Sequence, residues 1–225
     1  PEEGRRLSHN HEAQIRMTDT EANDGAPQPV RTPIALQLPL SEEAVRGLSV
    51  GDLVSLTGRL VTGRDAVHHH LFGGARPPCD LTGTAVYHCG PVTVMEDGGW
   101  HVMAAGPTTS IREEPYMAGI IARFALRAVI GKGGMGPQTL AACGAHGCVY
   151  LHAVGGAAQI LAQAIERVIA VHWEETFGLP EAIWELEVKD FPALVTMDTH
   201  GQSLHEDVGT ASQAAFDRLT SLPGG

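Results

Sequence analysis

Several features that would assign the chain to a class at once are missing from its sequence. No apolar run approaches the roughly 18 residues that a membrane span requires, and the first residues carry no apolar stretch typical of a signal peptide. Positive charge is scarce, since 15 Lys and Arg stand against 26 Asp and Glu and the formal net charge is −11. Nucleic acids and anionic membranes bind clustered cations, so neither is an expected partner. We expect a cytoplasmic protein.

Cysteine is also sparse, and no CxxC pair occurs among Cys79, Cys89, Cys143 and Cys148. The spacings between these residues match none of the compact cysteine patterns that bind zinc or iron–sulfur clusters. In a cytoplasmic chain such thiols are usually reduced and buried. We therefore predict no metal or cofactor ligands in this chain.

The composition divides the chain into three parts. Residues 1–32 are polar, rich in Pro, Asp and Glu, and lack apolar periodicity, which predicts a flexible N-terminal tail. Residues 33–208 combine a β-rich first half with a second half in which strands and helices alternate, which predicts one mixed α/β domain. Residues 209–225 are expected to form a weakly ordered C-terminal segment.

Within the domain, alternation and helical spacing of apolar residues locate the main elements. "IALQLPL" and "DLVSLTGRLVTG" alternate like strands, and Ser41 is a plausible N-cap of a helix over "SEEAVRGL". "AAQILAQAIERVIAVHW", residues 157–173, predicts one long helix. "RAVIG" and "CVYLHAV" predict strands, the second of them buried. "AIWELEVKD" and "ALVTMDTHG" predict two closing strands.

The stretch "AAGPTTSIREEPYMAG", residues 104–119, places three hydroxyls and a guanidinium on one turn. Ser110 and Glu113 fit the S-x-x-E capping box of a helix that begins near Pro115. A cap does not explain Thr108, Thr109 and Arg112. Hydroxyls and a guanidinium at a helix N-terminus are oriented donors for a planar carboxylate.

Two further loops carry cations. "GKGGMG", residues 131–136, fits G-x-G-x-x-G between a strand and a helix, which leaves a NAD-dependent oxidoreductase as an alternative, although no acidic residue ends the next strand. Lys132 in this loop precedes a helix N-terminus and is well placed to hold an anion. In "TGRDAVHHH", Arg64 and Asp65 open a helix, where the simplest interpretation is a local ion pair. The three histidines point in different directions on a helix, so we do not expect them to bind a metal.

Arg64, Arg112 and Lys132 thus lie at three loop-to-helix junctions. If the three junctions meet in the fold, the site suits a small dianion.

At these residues the chain resembles a known family. "GDLVSLTGRLVTGRDAVHHHL", "GPTTSIR", "IGKGGMGP" and "FGLPEAIWELEVKDFPALVTMDTHG" are similar, in this order, to the β subunit or C-terminal domain of class I iron–sulfur fumarate hydratases and L(+)-tartrate dehydratases. The resemblance runs from about residue 34 to residue 201. It implies a swivelling β/β/α domain, a compact β-rich body flanked by helices.

The resemblance also implies a hydro-lyase whose work is divided between two parts. A [4Fe–4S] cluster is bound by three cysteines of an α partner and not by this chain, and one open iron acts as a Lewis acid. The β part supplies carboxylate clamps, which by motif are Arg64, Arg112 and Lys132. Thr108 and Thr109 would contact the substrate, and Thr108 is the candidate proton-transfer group. A heteromer of the (αβ)2 type, active only with its α partner, is implied.

The substrate stays open among C4 dicarboxylates. "EAIWELEVKDFPA" favours fumarate and malate, the pair of the tricarboxylic acid cycle, whereas "GKGGMGP" is closer to tartrate dehydratases, which convert tartrate to oxaloacetate. Mesaconate is a methylated alternative. The sequence departs from the family pattern at Glu113, where Met is frequent, and at Val67, where a small residue is frequent.

Overall fold

The computed structural model describes residues 32–154 and 156–221. The predicted flexible tail, residues 1–32, lies outside this description apart from its last residue, and so does the end of the predicted C-terminal segment. The contacts assign residues 32–225 to one compact unit. None of the helices in the described part of the chain is long and apolar enough to cross a membrane.

Within the described residues, nine strands form the body of the protein. They are β1 (Ile34–Gln37), β2 (Leu53–Thr62), β3 (Ala85–Tyr87), β4 (Val92–Glu96), β5 (Gly99–Ala104), β6 (Ala128–Gly131), β7 (Val149–His152), β8 (Ile165–His172) and β9 (Ile183–Met197). Seven of them make one sheet in the order β1-β2-β3-β6-β7-β9-β8, and β4 and β5 form a separate antiparallel pair. Because β2 also pairs with β9, the strands β2, β3, β6, β7 and β9 close into a ring.

Seven helices accompany the strands in the part of the chain that the structure describes. They are α1 (Glu42–Arg46), α2 (Asp65–Phe72), α3 (Glu114–Phe124), α4 (Pro137–His146), α5 (Ala158–Gln163), α6 (Glu174–Phe177) and α7 (Leu204–Thr220). Short 3-10 turns occupy Ser110–Glu113 and Leu179–Glu181. The predicted mixed α/β class, with a β-rich body flanked by helices, is confirmed.

The central parallel strands β3, β6 and β7 are buried on both faces of the sheet. Along β6, Ala128 and Ile130 belong to one hydrophobic core and Val129 to the other, because successive side chains point to opposite faces. Residues of the strands make up most of the first core. Helices α2, α3 and α4 cover the second core with apolar side chains such as Leu71 and Ile121. Burial on both faces explains why "RAVIG" and "CVYLHAV" are continuous apolar runs.

Three parts of the predicted secondary structure were wrong. The predicted long helix 157–173 is the short helix α5 followed by strand β8. Its second half is rich in β-branched residues, and their pairing with β9 decides the conformation. The two predicted closing strands are the single 15-residue strand β9. Strand β4 was not predicted, although Asp97 and Gly98, both with positive φ, form the tight turn of its hairpin with β5.

The C-terminal region contains more helix than the sequence indicated. Ser203 caps α7, because its side chain accepts a hydrogen bond from the Glu206 amide at 3.4 Å. The helix then continues to Thr220, so the proposed domain boundary at residue 208 falls inside it. That boundary, and the weak order expected for residues 209–225, stay predictions.

Strand β2 carries Gly58 at a point where its register with β9 shifts. Leu56 and Gly58 pair with Phe191 and Val188, so the extra residue of the β-bulge lies on β9, and Gly58 has φ +116°. A Cβ at this position would lie 2.8 Å from the carbonyl oxygen of Leu38, closer than such atoms approach. Glycine is therefore required both by the backbone conformation and by the neighbouring chain.

Replacing Gly58 with Ala should lower the free energy of unfolding by about 2–3 kcal/mol, because it adds a steric clash to a strained φ. Gly51→Ala is the matched control: Gly51 has φ +94°, but no atom lies within 4 Å of its added Cβ. We expect the control to cost about 1 kcal/mol, from backbone strain alone. Urea unfolding measures both. Equal losses would show that the contact with Leu38 does not constrain β2.

Candidate active site

The predicted site loops begin side by side at one edge of the sheet. Strands β2, β3 and β6 are parallel and pair in register near their carboxyl ends: Thr62 with Tyr87, and Tyr87 with Ile130. Parallel strands present their carboxyl ends at the same edge, which is where ligands bind in sheets of this kind. The loops that carry Arg64, His88 and Lys132 therefore leave the sheet next to one another.

The segment that carries Thr108 is attached to this edge by main-chain hydrogen bonds. The carbonyl of His88 accepts from the Thr108 amide at 2.7 Å and from Thr108 Oγ1 at 3.1 Å. The Lys132 amide donates to the Thr108 carbonyl at 3.3 Å, and the Ser110 amide donates to the Lys132 carbonyl at 3.0 Å. Thr109 and Lys132 thus form a parallel bridge. The structure brings Thr108, Thr109 and Lys132 together.

Arg64 joins the same edge through Gly90, which lies in the loop after β3. The Arg64 Nη1 donates to the Pro180 carbonyl at 3.2 Å and lies 3.3 Å from Glu181 Oε1. A Cβ on Gly90 would lie 3.0 Å from this nitrogen, so the loop packs closely under the guanidinium. The local ion pair expected between Arg64 and Asp65 was wrong, because Arg64 pairs with Glu181.

Arg112 lies beside the N-terminus of α2. Its side chain is 68% exposed, and its Nη1 is 3.8 Å from Asp65 Oδ2. The two residues line an open depression of about 570 Å³ with His69 and Tyr116. An ion pair this long and this exposed contributes little to stability, which leaves the guanidinium available to a ligand.

Lys132 carries a charge without a countercharge in the described residues: no carboxylate in 32–154 or 156–221 lies within 4.0 Å of its ammonium. The three predicted cations are therefore placed at one edge by loops that follow β2, β5 and β6. Their convergence on one ligand stays a prediction.

Comparison with known proteins gives the family. The profile of the fumarase C-terminus matches residues 4–208. The chain belongs to this family.

Relatives with two kinds of name share the sequence. A Geobacillus stearothermophilus protein, provisionally named a class I fumarate hydratase, is 56% identical over 183 residues, which cover 81% of this chain and 35% of that protein. The β subunit of Escherichia coli K12 L(+)-tartrate dehydratase is 39% identical over 171 residues, covering 75% and 85%. A Methanocaldococcus jannaschii protein, provisionally named as such a β subunit, is 37% identical over 190 residues, covering 82% and 96%. The predicted resemblance is confirmed.

Sequence reasoning missed a group of buried polar side chains beneath the family's site loops. His68, His88, Ser110 and Glu113 are all buried. Ser110 does not form the predicted capping box. Its Oγ is 2.9 Å from His88 Nδ1 and accepts from the hydroxyl of Tyr150 at 2.9 Å, while Glu113 faces His68. The signal for this group in the sequence is weak, since a buried histidine resembles an exposed one until the fold is known.

The histidine run contacts three different environments. His68 Nδ1 is 2.8 Å from the Arg64 carbonyl, His69 packs edge-on against Tyr116, and His70 packs edge-on against Trp173. Burial lowers the pKa of His68 to about 4 and holds the pKa of His88 well below its usual value, so both are neutral at pH 7.

The N-terminus of α4 is already filled by a carboxylate of this chain. Glu114 accepts hydrogen bonds from the amide of Gly136 at 2.8 Å, the amide of Gln138 at 2.9 Å and the hydroxyl of Thr139 at 2.6 Å. The helix end itself is therefore not free for a ligand, and the anion expected at Lys132 stays a prediction. A dinucleotide pyrophosphate would need the same position, which argues against the oxidoreductase alternative.

The four cysteines do not fit an iron–sulfur cluster. Cys89, Cys143 and Cys148 are buried, and Cys79 is partly exposed. Burial raises the pKa of Cys79 to about 11 and that of Cys89 to about 12, whereas a cluster needs three or four thiolates that converge.

One group of side chains that could bind a metal occurs in the described residues, but its carboxylate is already paired with the Arg59 guanidinium. Ligand atoms of Cys79, His172 and Glu185 lie within 4.8 Å of one another. Glu185 Oε2 is 2.7 Å from Arg59 Nη1, and Glu185 Oε1 is 2.6 Å from His172 Nε2. The guanidinium neutralises the carboxylate, so we interpret the group as an ion-pair network.

Glu113 should make the stability of the protein pH-dependent. Burial, together with the carboxylates of Asp65 and Glu181, raises the pKa of Glu113 to about 9, although Arg64 opposes the shift. The native state then keeps a proton that the unfolded chain loses above its ordinary pKa of 4.5, so stability falls as pH rises from about 5 to 9.

Glu113→Gln removes this titration. Relative to the unsubstituted chain, the variant should gain more than about 1 kcal/mol of unfolding free energy between pH 5 and pH 8. Urea unfolding at both values measures the gain, and pH 5, where both side chains are neutral, is the internal control. A stability difference that does not change with pH would mean that Glu113 is ionised in the fold.

Proposed function

We propose that this chain is the β subunit of an iron–sulfur hydro-lyase that reversibly adds water to fumarate and removes it from malate. Homologues named fumarate hydratase and tartrate dehydratase support the hydro-lyase class. The observation that carries the proposal is the edge where Thr108, Thr109 and Lys132 are held together by main-chain hydrogen bonds, next to Arg64. The catalytic unit on this chain is residues 33–208.

In the proposed reaction, Arg64, Arg112 and Lys132 bind the two substrate carboxylates. Removing a proton from the carbon next to a carboxylate builds negative charge on that carboxylate in the transition state. Cations fixed before the reaction stabilise this charge more than they stabilise the ground state. Lys132, which has no carboxylate partner among the described residues, is the cation least neutralised by the protein itself.

Thr108 is the proposed proton-transfer group. Its hydroxyl donates to the His88 carbonyl at 3.1 Å, so the hydrogen is directed into the protein and the oxygen lone pairs are free to face a ligand. A Thr hydroxyl is a weak base, so the assembled site has to supply activation. Thr109, exposed beside Lys132, is proposed to contact the substrate.

The [4Fe–4S] cluster is proposed to belong to a cysteine-bearing α partner, because the cysteines of this chain do not fit it. The two subunits would form a cytoplasmic (αβ)2 enzyme that is active only when assembled. Relatives named as β subunits support a separate partner. The Geobacillus relative is much longer than this chain, which matches 35% of it, so the two functions can also occur on one polypeptide.

A second candidate function is the conversion of L(+)-tartrate to oxaloacetate. Two relatives at 37% and 39% identity carry the tartrate name and match over most of their length. The higher identity, 56%, to the protein with the fumarate hydratase name favours fumarate and malate.

Assembly should be required for activity. The purified chain alone should neither hydrate fumarate nor show the brown colour of a cluster, because it lacks cluster ligands. Co-expression with its cysteine-bearing partner, followed by anaerobic assays on fumarate, malate, tartrate and mesaconate, should give activity on fumarate and malate. Activity of the isolated chain would contradict the divided site, and activity on tartrate alone would select the second candidate.

Arg112→Ala in the assembled enzyme should lower kcat/KM by at least about tenfold, because it removes one carboxylate donor. Arg167→Ala is the matched control: Arg167 is 65% exposed, against 68% for Arg112, and its ion pair with Glu187 is equally long, at 3.9 Å. The control should change kcat/KM by less than about twofold, since Arg167 lies on β8 away from the site edge. An unchanged value for Arg112→Ala would remove this residue from the site.

A further inference from the structure

The proposed function leaves a chain of buried polar side chains unexplained. His68, His88, Ser110 and Tyr150 have almost no exposed surface. Burying polar groups costs free energy unless each finds a partner, yet His88 Nε2 has no hydrogen-bond partner among the described residues. Apolar side chains would fill this part of the core at lower cost. A group retained at such a cost often serves a functional site.

At one end, the chain of side chains holds Arg64. The Arg64 carbonyl accepts hydrogen bonds from the His68 amide at 3.0 Å and from the His68 ring at 2.8 Å. A carbonyl only accepts, so the proton of His68 must sit on Nδ1. The neutral ring therefore fixes the main chain at the junction between β2 and α2, where the guanidinium begins.

At the other end, the buried polar side chains hold the segment that carries Thr108 from both sides. The His88 carbonyl accepts from Thr108, as described above, and the His88 ring contacts Ser110 Oγ at 2.9 Å. Tyr150 fixes Ser110 from β7. There is no free space beside Gly131, because a Cβ added at this residue would collide with Ser110 Oγ and lie 3.2 Å from His88 Nδ1.

The two ends meet in the contact between the imidazole rings. His68 and His88 pack edge to face, with centroids 4.9 Å apart and planes at 86°. Their rings are therefore the direct side-chain link between the loop of Arg64 and the segment of Thr108. We propose that His68, His88 and Ser110 are positioning residues, which set the distance between the carboxylate-binding Arg64 and the proton-transferring Thr108. This inference rests on the proposed function and deepens it.

The two ends should affect different kinetic constants. His68 acts through Arg64, which binds a carboxylate in both ground and transition states, so its loss should mainly raise KM. Ser110 acts through the segment of Thr108, whose proposed proton transfer belongs to the chemical step, so its loss should mainly lower kcat. A purely structural role would lower the amount of folded, assembled enzyme. We therefore calculate kcat per assembled enzyme, and a purely structural role would then change neither kcat nor KM.

The test uses the assembled enzyme with fumarate as substrate. His68→Leu should raise KM at least about fivefold, whereas His68→Asn, whose amide nitrogen can replace Nδ1–H, should stay within about twofold. Ser110→Ala should lower kcat at least about fivefold with KM within about twofold. Ser110→Ala loses only one atom, so it decides the question even where His68→Leu fails to fold.

Thr84→Val is the matched control, because it also removes one buried hydroxyl hydrogen bond, to the Arg59 carbonyl, at the opposite end of β3. It should change neither constant by more than about twofold. The inference is overturned if Ser110→Ala leaves kcat unchanged, or if His68→Leu and His68→Asn have equal effects. Arg64→Ala separates failure of this inference from failure of the proposed function, because an unchanged KM in that variant would contradict the proposed function itself.

Discussion

The main-chain hydrogen bonds around Thr108 are the interaction on which the site depends. The carbonyl of His88 accepts hydrogen bonds from both the amide and the hydroxyl of Thr108. The main chain of Lys132 donates to the Thr108 carbonyl and accepts from the Ser110 amide. These bonds attach an irregular segment to the carboxyl ends of β3 and β6. Side chains on that segment are then as fixed as the sheet itself, which is what catalysis by positioned charges needs.

The charges near the predicted site leave Lys132 without a carboxylate partner among the described residues, although Arg64 pairs with Glu181. Directly beneath them, His68 and His88 are neutral, and burial keeps Glu113 protonated at neutral pH. The adjacent Glu114 does not pair with Lys132, because its side chain accepts hydrogen bonds at the N-terminus of α4. In the proposed function, a chain of net charge −11 presents a cationic edge to a dianion.

Much of the fold could be predicted from the sequence, because local patterns decided it. Continuous apolar runs predicted β6 and β7, and Ser41 predicted the start of α1, where its side chain caps the helix. The family motifs predicted the site loops. Strand β8 could not be predicted from local pattern, since its helical spacing was overridden by pairing with β9. The partners of Ser110 and His88 depend on packing between β3, β6 and β7, which no spacing in the sequence records.

The most direct measurement is a crystal structure of the assembled enzyme with succinate, a dicarboxylate that cannot be dehydrated. The account predicts that the carboxylates of succinate lie within hydrogen-bond distance of Arg64, Arg112 and Lys132, with Thr108 Oγ1 facing a central carbon. Succinate bound elsewhere, or these three side chains directed to separate surfaces, would contradict it.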